Sequence, residues 1–421
     1  MTSLKELDKK HIWHPFDQMK GAEIIPIVRG QGSSLYDEIG NDYIDGFSSW
    51  WVNAHGHSNK YISNKISEQL SILEHVAFGG FTHPQAVTLA ERIIGITPEN
   101  IQKVFFSDNG STANEVALKM CIQYWSNKGQ NKDQFIALTG DYHGDTFGSM
   151  SLTSRGGFNE PFEKFMFDVS FVDPPVVSNP DLKKFEEILK TGRVAAFIFE
   201  PLVQGACGMK MHSAEGLSAM IKLAKKYNVL TIADEVFTGF GRTGRYFASD
   251  HLSEDPDIMC LSKALTGGFL PLGLTVVSQN IFNGFYSDEP SHTFLHGHSY
   301  TGNPLACCAA NASLDLFEKE IIWTRIGEIE NSLKEFTLEL LGNNNVRTSR
   351  SMGIIAAIEI EGGGKSSYFN TIGKHFYTQL LKEGVILRPL GNTIVIVPPY
   401  CIEDNQLEQI YSAIKKTLKN L

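Results

Sequence analysis

A series of short apolar runs, each broken by a polar or charged residue, constrains this chain more than anything else in it. Val194-Ala195-Ala196-Phe197-Ile198-Phe199 runs into Glu200, and Leu230-Thr231-Ile232-Ala233 runs into Asp234. Phe135-Ile136-Ala137-Leu138 leads to Thr139-Gly140, and Ile258-Met259-Cys260-Leu261 leads to Ser262-Lys263. Val104-Phe105-Phe106 and Thr275-Val276-Val277 extend the set. The runs are largely continuous rather than alternating, which suits strands covered on both faces. Between two of them, Leu217, Met220, Ile221 and Ala224 recur at helical spacing. The pattern predicts a doubly wound α/β domain with a mostly parallel sheet. In such a sheet ligands gather at the carboxyl ends of strands. The residues that end the runs are therefore the first candidates for chemistry.

With 421 residues the chain is too long for one small core, and two or three domains are expected. After about Asn311 the texture changes. A long helix is expected through Ile321 to Leu341, a strand over Ile354 to Ile360, and a helix near Lys374 to Lys382. Strands are expected at Val385 to Arg388 and Ile394 to Val397, and a last helix over Asp404 to Leu418. This reads as a small α+β domain formed by residues 318–421, completed by an arm and short strands in residues 1–47. Residues 48–317 form the large α/β domain.

The net charge is −10, without a basic block, which argues against a nucleic-acid or anionic-membrane surface. No apolar stretch approaches the ~20 residues of a membrane span. The first residues, Met1 to Glu6, carry no apolar signal core. The six cysteines form no Cys-x-x-Cys pair and read as reduced, buried thiols of a cytoplasmic protein.

Lys263 follows a strand end and precedes Thr266-Gly267-Gly268. A lysine so placed can be desolvated, which lowers its pKa and keeps a neutral, nucleophilic fraction. Asp234 ends a second strand. A lysine near an aldehyde and an acid near a pyridine nitrogen are what pyridoxal phosphate (PLP) requires. Ser107-Asp108-Asn109-Gly110-Ser111-Thr112 joins a strand to a helix from Ala113 to Tyr124. The free N–H groups of such a start favour a phosphate, although an ordinary capped helix fits equally well. Tyr142 is placed to stack on an aromatic ring, with His143 and Asp145 beside it; a polar turn is the plainer alternative. Trp50 and Trp51 are adjacent, and in a strand they would face opposite sides, so one is free to line a pocket; burial of both at a domain seam fits equally well. His292, His296 and His298 lack partner ligands at metal spacing and read as loop residues, as do His55 and His57.

Taken together, these residues resemble the class III aminotransferases, a family of fold type I PLP enzymes. The resemblance covers nearly the whole chain. Its most specific pieces are Asp234-Glu235-Val236 with Gly239-Phe240-Gly241-Arg242-Thr243-Gly244, and Ser262-Lys263-Ala264. His11-Ile12-Trp13-His14-Pro15 and Ser48-Ser49-Trp50-Trp51 point to the branch that aminates 8-amino-7-oxononanoate to 7,8-diaminononanoate in biotin synthesis. The resemblance implies fold type I architecture, a large α/β/α domain plus a small α+β domain. It implies two half-reactions through pyridoxamine phosphate, with S-adenosylmethionine as the expected donor. Lys263 should bind PLP through an imine and move the substrate proton. Asp234 should pair with the ring nitrogen and Tyr142 should stack on the ring. Gly110 and Ser111 should hold the phosphate, with Ser299 reaching the phosphate of a neighbouring subunit, which implies a homodimer with shared sites. Trp50, Trp51, Tyr142, Asp145, Lys263, Gly297 and Arg388 should contact substrates, Arg388 through the acid's carboxylate. One departure stands out: many members carry tyrosine where this chain has Phe16. The loss of that hydroxyl leaves lysine open as an alternative donor. Rival readings are another class III aminotransferase acting on ornithine, 4-aminobutyrate or an ω-amine, a PLP aminomutase or decarboxylase, and a non-catalytic relative.

Overall fold

The computed structural model describes residues 3–156, 159–362, 370 and 372–421. Its centre is a seven-stranded sheet. The strand order is Ile101–Ser107, Gly273–Ser278, Ile258–Leu261, Leu230–Asp234, Val194–Phe199, Gln134–Leu138 and Val169–Val172. Gly273–Ser278 runs antiparallel to both of its neighbours, and the other pairs are parallel. Every residue of Val194–Phe199, Leu230–Asp234, Ile258–Leu261 and Gly273–Ser278 is buried. Helices cover both faces, which is why the apolar runs do not alternate. Val169–Val172 was not foreseen; its burial is partial, and Ser170 interrupts its apolar pattern.

The helices follow from caps and apolar stripes. Ala214–Lys226 starts at Ser213, whose hydroxyl accepts from the Gly216 N–H, and buries Leu217, Met220, Ile221 and Ala224. Gly110–Asn127 starts three residues earlier than the apolar pattern alone suggests, because Asn109 caps it through the Thr112 N–H. Pro304–Phe317 was missed at the sequence level. Its run of alanines and cysteines is buried nearly all round and shows no amphipathic stripe.

The C-terminal part holds an antiparallel sheet of Val346–Met352, Ile355–Ile360 and Thr393–Ile396. A second sheet joins the two ends of the chain. Ile27–Gln31, Ser34–Asp37 and Asp42–Asp45 form a meander, and Asp42–Asp45 pairs in parallel with Val385–Ile386. Two expectations need correction here. The strand ends at Ile386, before Arg388, and the arm contains a capped helix, Leu4–His11. Of the six free cysteines, Cys207 is half-buried and Cys401 exposed, so burial holds for the other four. Among the described residues, no helix is long and apolar enough to cross a membrane.

Candidate active site

The carboxyl ends of the parallel strands open into a cavity of about 480 Å3. Lys263, Asp234, Tyr142, Gly110, Ser111, Asp145, Trp50 and Trp51 all line it, together with Phe16. Arg388 is not among the lining residues; it lies beside them, with its guanidinium carbon 4.4 Å from the centre of the Trp50 ring. Gly297 and Ser299 are exposed on a loop outside the cavity. Of the loop histidines, His296 is 3.0 Å from the Lys119 amine and His298 accepts the Tyr300 N–H. His57 bonds Asp45, and His55 bonds Ser313.

Strand geometry sets the floor. Asp234 ends its strand and is 4% exposed. One of its oxygens accepts the Val236 N–H at 3.1 Å; the other accepts Asn114 at 2.8 Å and meets His143 Nδ1 at 2.7 Å. The far nitrogen of His143 lies 3.6 Å from Asp141, an ion-pair distance rather than a hydrogen bond. Burial opposes a charged imidazole here, but the carboxylates on both sides outweigh it and push the pKa up to about 10. His143 therefore holds its proton at neutral pH and fixes Asp234 as an acceptor. Glu200 ends the neighbouring strand and takes the N–H groups of Tyr142 and Gly205, both at 2.8 Å. Burial, then the nearby Asp141, raises its pKa to about 8.

Lys263 adopts a left-handed backbone, φ 46°, directly after its strand. Its amine sits 4.7 Å from the Trp51 ring centre and 5.5 Å from that of Phe237. Burial lowers its pKa to about 8 against the pull of Asp234 and Glu200, and Arg242 adds to the lowering. The amine is thus neutral in useful fraction near physiological pH. At the strand opposite, the Gly110–Asn127 helix presents its first N–H groups to the cavity. Gly110 is required there, because a Cβ would lie 2.5 Å from a Val236 methyl. The Ser111 hydroxyl accepts the Asp145 N–H at 3.3 Å. Burial and the adjacent Asp145 carboxylate keep the Tyr142 phenol protonated.

The tryptophan wall is built differently from the strand expected for it. Ser48, Ser49, Trp50 and Trp51 all have positive φ, from 45° to 72°, and form one left-handed turn. Each non-glycine residue in that region costs roughly 1–2 kcal/mol. Surrounding polar contacts hold the turn in place. Asp45 accepts the Ser49 N–H at 3.0 Å and its hydroxyl at 2.8 Å, and the Ser48 hydroxyl donates to Val397 O. Arg242, fully buried, donates to Trp51 O at 3.0 Å and Pro398 O at 3.2 Å. Sequence reasoning missed Asn114 and Asp45, and it placed Arg242 in the family motif without a role for it. A buried polar residue on the apolar face of the Asn109-capped helix was the available signal for Asn114. Asp45 acts on Ser49, four residues on, in a turn that the strand reading hid, whereas Arg242 acts across more than 150 residues.

A lysine, a helix N-terminus and a buried carboxylate thus converge on one cavity. The model of the aminotransferase class-III family matches residues 17–418. This chain is a class III aminotransferase. It is 44% identical to the adenosylmethionine-8-amino-7-oxononanoate aminotransferase of Synechococcus elongatus, over 98% of this chain and 99% of that one. The enzyme of that name from Staphylococcus aureus is 39% identical, over 99% and 98%. Among solved structures, the one of that name from Methanocaldococcus jannaschii superposes with a TM-score of 0.93 at 35% identity, covering 98% of each chain. An amine transaminase from an uncultivated Pseudomonas species, in its PLP-bound form, gives 0.91 at 29% identity, over 97% and 98%. The cofactor of this aminotransferase is pyridoxal phosphate, and the cavity fits it. The start of the Gly110–Asn127 helix lines the cavity through Gly110 and Ser111, where free backbone N–H groups suit a phosphate. Asp234 offers a locked acceptor to the ring nitrogen, and Lys263 an amine of lowered pKa.

Proposed function

We propose that this aminotransferase converts 8-amino-7-oxononanoate to 7,8-diaminononanoate, a step of biotin synthesis, with S-adenosylmethionine as amino donor. The observation that carries the reading is the layout of the wall. The Lys263 amine faces the Trp51 ring, and the Arg388 guanidinium lies over the neighbouring Trp50 ring, which Phe16 also flanks. An amine at one end, an apolar wall, and a cation at the other suit a long aliphatic keto acid. The relatives that carry the corresponding name span nearly the whole chain, which supports the same reading.

Bound PLP supplies the aldehyde that takes up the amino group and the ring that withdraws electrons from the reacting carbon. The chain's own residues then have distinct tasks. Asp234 holds a proton on the ring nitrogen, and His143 and Asn114 hold Asp234. Gly110 and Ser111 hold the phosphate at the helix start. Lys263 accepts the proton from the donor's α-carbon and returns one to the acceptor's C7, a role its lowered pKa suits. Tyr142 covers the ring face and Asp145 meets the substrates' polar groups. Trp50 and Trp51 exclude water from the aliphatic chain, and Arg388 takes its carboxylate. Ser299 and Gly297 act on the site of a second subunit, in a cytoplasmic homodimer. Residues 48–317 carry the cofactor, and 1–47 with 318–421 form the smaller domain.

The test is steady-state turnover of 8-amino-7-oxononanoate with product identified by mass. Formation of 7,8-diaminononanoate with S-adenosylmethionine is expected. Turnover of ornithine or 4-aminobutyrate with a keto acid, and none of 8-amino-7-oxononanoate, would refute the substrate assignment. Turnover with lysine alone would keep the product and replace the donor.

A further inference from the structure

Trp50 is flanked by two residues from distant parts of the chain. The Phe16 ring lies 5.3 Å away on one side, and the Arg388 guanidinium lies 4.4 Å over its face. The residue after Phe16 is Asp17, and its Oδ1 is 3.4 Å from Arg388 Nη2. Among the described residues, Asp17 is the carboxylate within ion-pair reach of this guanidinium. The side chains are 46% and 28% exposed, for Asp17 and Arg388 respectively. The contact is single and long, whereas an arginine fork offers a carboxylate two parallel N–H bonds. Half-exposed pairs of this kind are weak. A pair that is formed, yet uses one arm of the fork, can be exchanged for a better one.

We propose that Asp17 is a specificity-determining residue, a built-in carboxylate that occupies Arg388 until the carboxylate of the acceptor displaces it. The proposal rests on the reading of Arg388 as the acceptor's carboxylate contact. While the donor reacts, Asp17 keeps the guanidinium neutralised and parked over Trp50. When the acid enters, it takes both arms of the fork, and Asp17 returns to water at little cost because it is already half-exposed. Asp17 therefore competes with every acid acceptor and leaves acceptors without a carboxylate untouched.

The experiment compares 8-amino-7-oxononanoate with its methyl ester in Asp17→Asn, Asp17→Glu and Arg388→Ala holoenzymes. Asp17→Asn is expected to lower KM for the acid by about two- to fivefold at unchanged kcat, and to leave KM for the ester unchanged. Asp17→Glu, which keeps the charge, should stay near the parent value. Arg388→Ala should raise KM for the acid by about tenfold or more and spare the ester. If Asp17→Asn leaves the acid's KM unchanged, raises it, or shifts acid and ester together, while Arg388→Ala still separates the two, the role of Asp17 is overturned and that of Arg388 stands. If Arg388→Ala treats acid and ester alike, the carboxylate reading fails and takes the role of Asp17 with it.

Discussion

At the floor of the cavity, Asp234, His143 and Asn114 come from strand ends and one long helix, buried, with Asp234 hydrogen-bonded to both of the others. At its mouth, Phe16, Trp50 and Arg388 come from an arm, a left-handed turn and the far end of the chain. The floor is held by the same parallel sheet that forms the core, so its geometry comes with the fold. The mouth is held by a few polar anchors that offset local backbone strain. The division teaches where each property resides: the floor sets the chemistry shared by the family, and the mouth sets which molecule reaches it.

Variants sharpen that division, beginning with the floor. Lys263→Ala should lower turnover by at least about a thousandfold while PLP still binds non-covalently. Cofactor content and single-turnover rate measure this, and full activity in the variant would remove Lys263 from its role. Asp234→Asn should cost about a hundredfold or more in kcat, because the acceptor for the ring nitrogen is lost. Little change in its KM values is expected, and an effect confined to KM would contradict the assignment.

The mouth should respond in the opposite way. Asp45→Ala removes the acceptor of the Ser49 N–H, the Ser49 hydroxyl and His57. A loss of about 1–3 kcal/mol in unfolding free energy is expected. Acceptor KM should rise more than kcat falls. Denaturant melts and kinetics check both, and a kcat-dominated defect would mean that the turn serves the chemistry directly.

The smallest effect is one of pH. Lys263 becomes nucleophilic as it loses its proton, so the neutral fraction grows as pH rises through about 8. Capture of PLP by the apoprotein should therefore accelerate and level off near that pH, whereas an ordinary lysine would need a pH above about 10. Loss of visible light-scattering-corrected free PLP, followed in stopped flow, gives the profile. A profile still climbing steeply beyond about pH 10 would show that burial does not tune this amine.

The difference between floor and mouth also explains what was legible in the sequence. Asp234 and Lys263 end continuous apolar runs, and a parallel sheet places strand ends together, so their meeting follows from local pattern plus topology. Gly110 and Ser111 follow in the same way from a strand joined to a capped helix. The double-tryptophan turn does not follow. Four consecutive positive φ values in Ser48–Trp51 run against intrinsic backbone preference, and the anchors Asp45, Arg242 and Pro398 that hold them lie up to hundreds of residues apart. Arg388 was named by resemblance, but the shortness of its strand and its contact with Asp17 depend on where the arm crosses the C-terminal part.

The most direct measurement is to mix the PLP-loaded protein with S-adenosylmethionine alone and, separately, with lysine, and to follow the cofactor's visible absorption before adding 8-amino-7-oxononanoate. The account predicts bleaching by S-adenosylmethionine and recovery when 8-amino-7-oxononanoate is added. No bleaching by S-adenosylmethionine, or no recovery when 8-amino-7-oxononanoate follows, would contradict it.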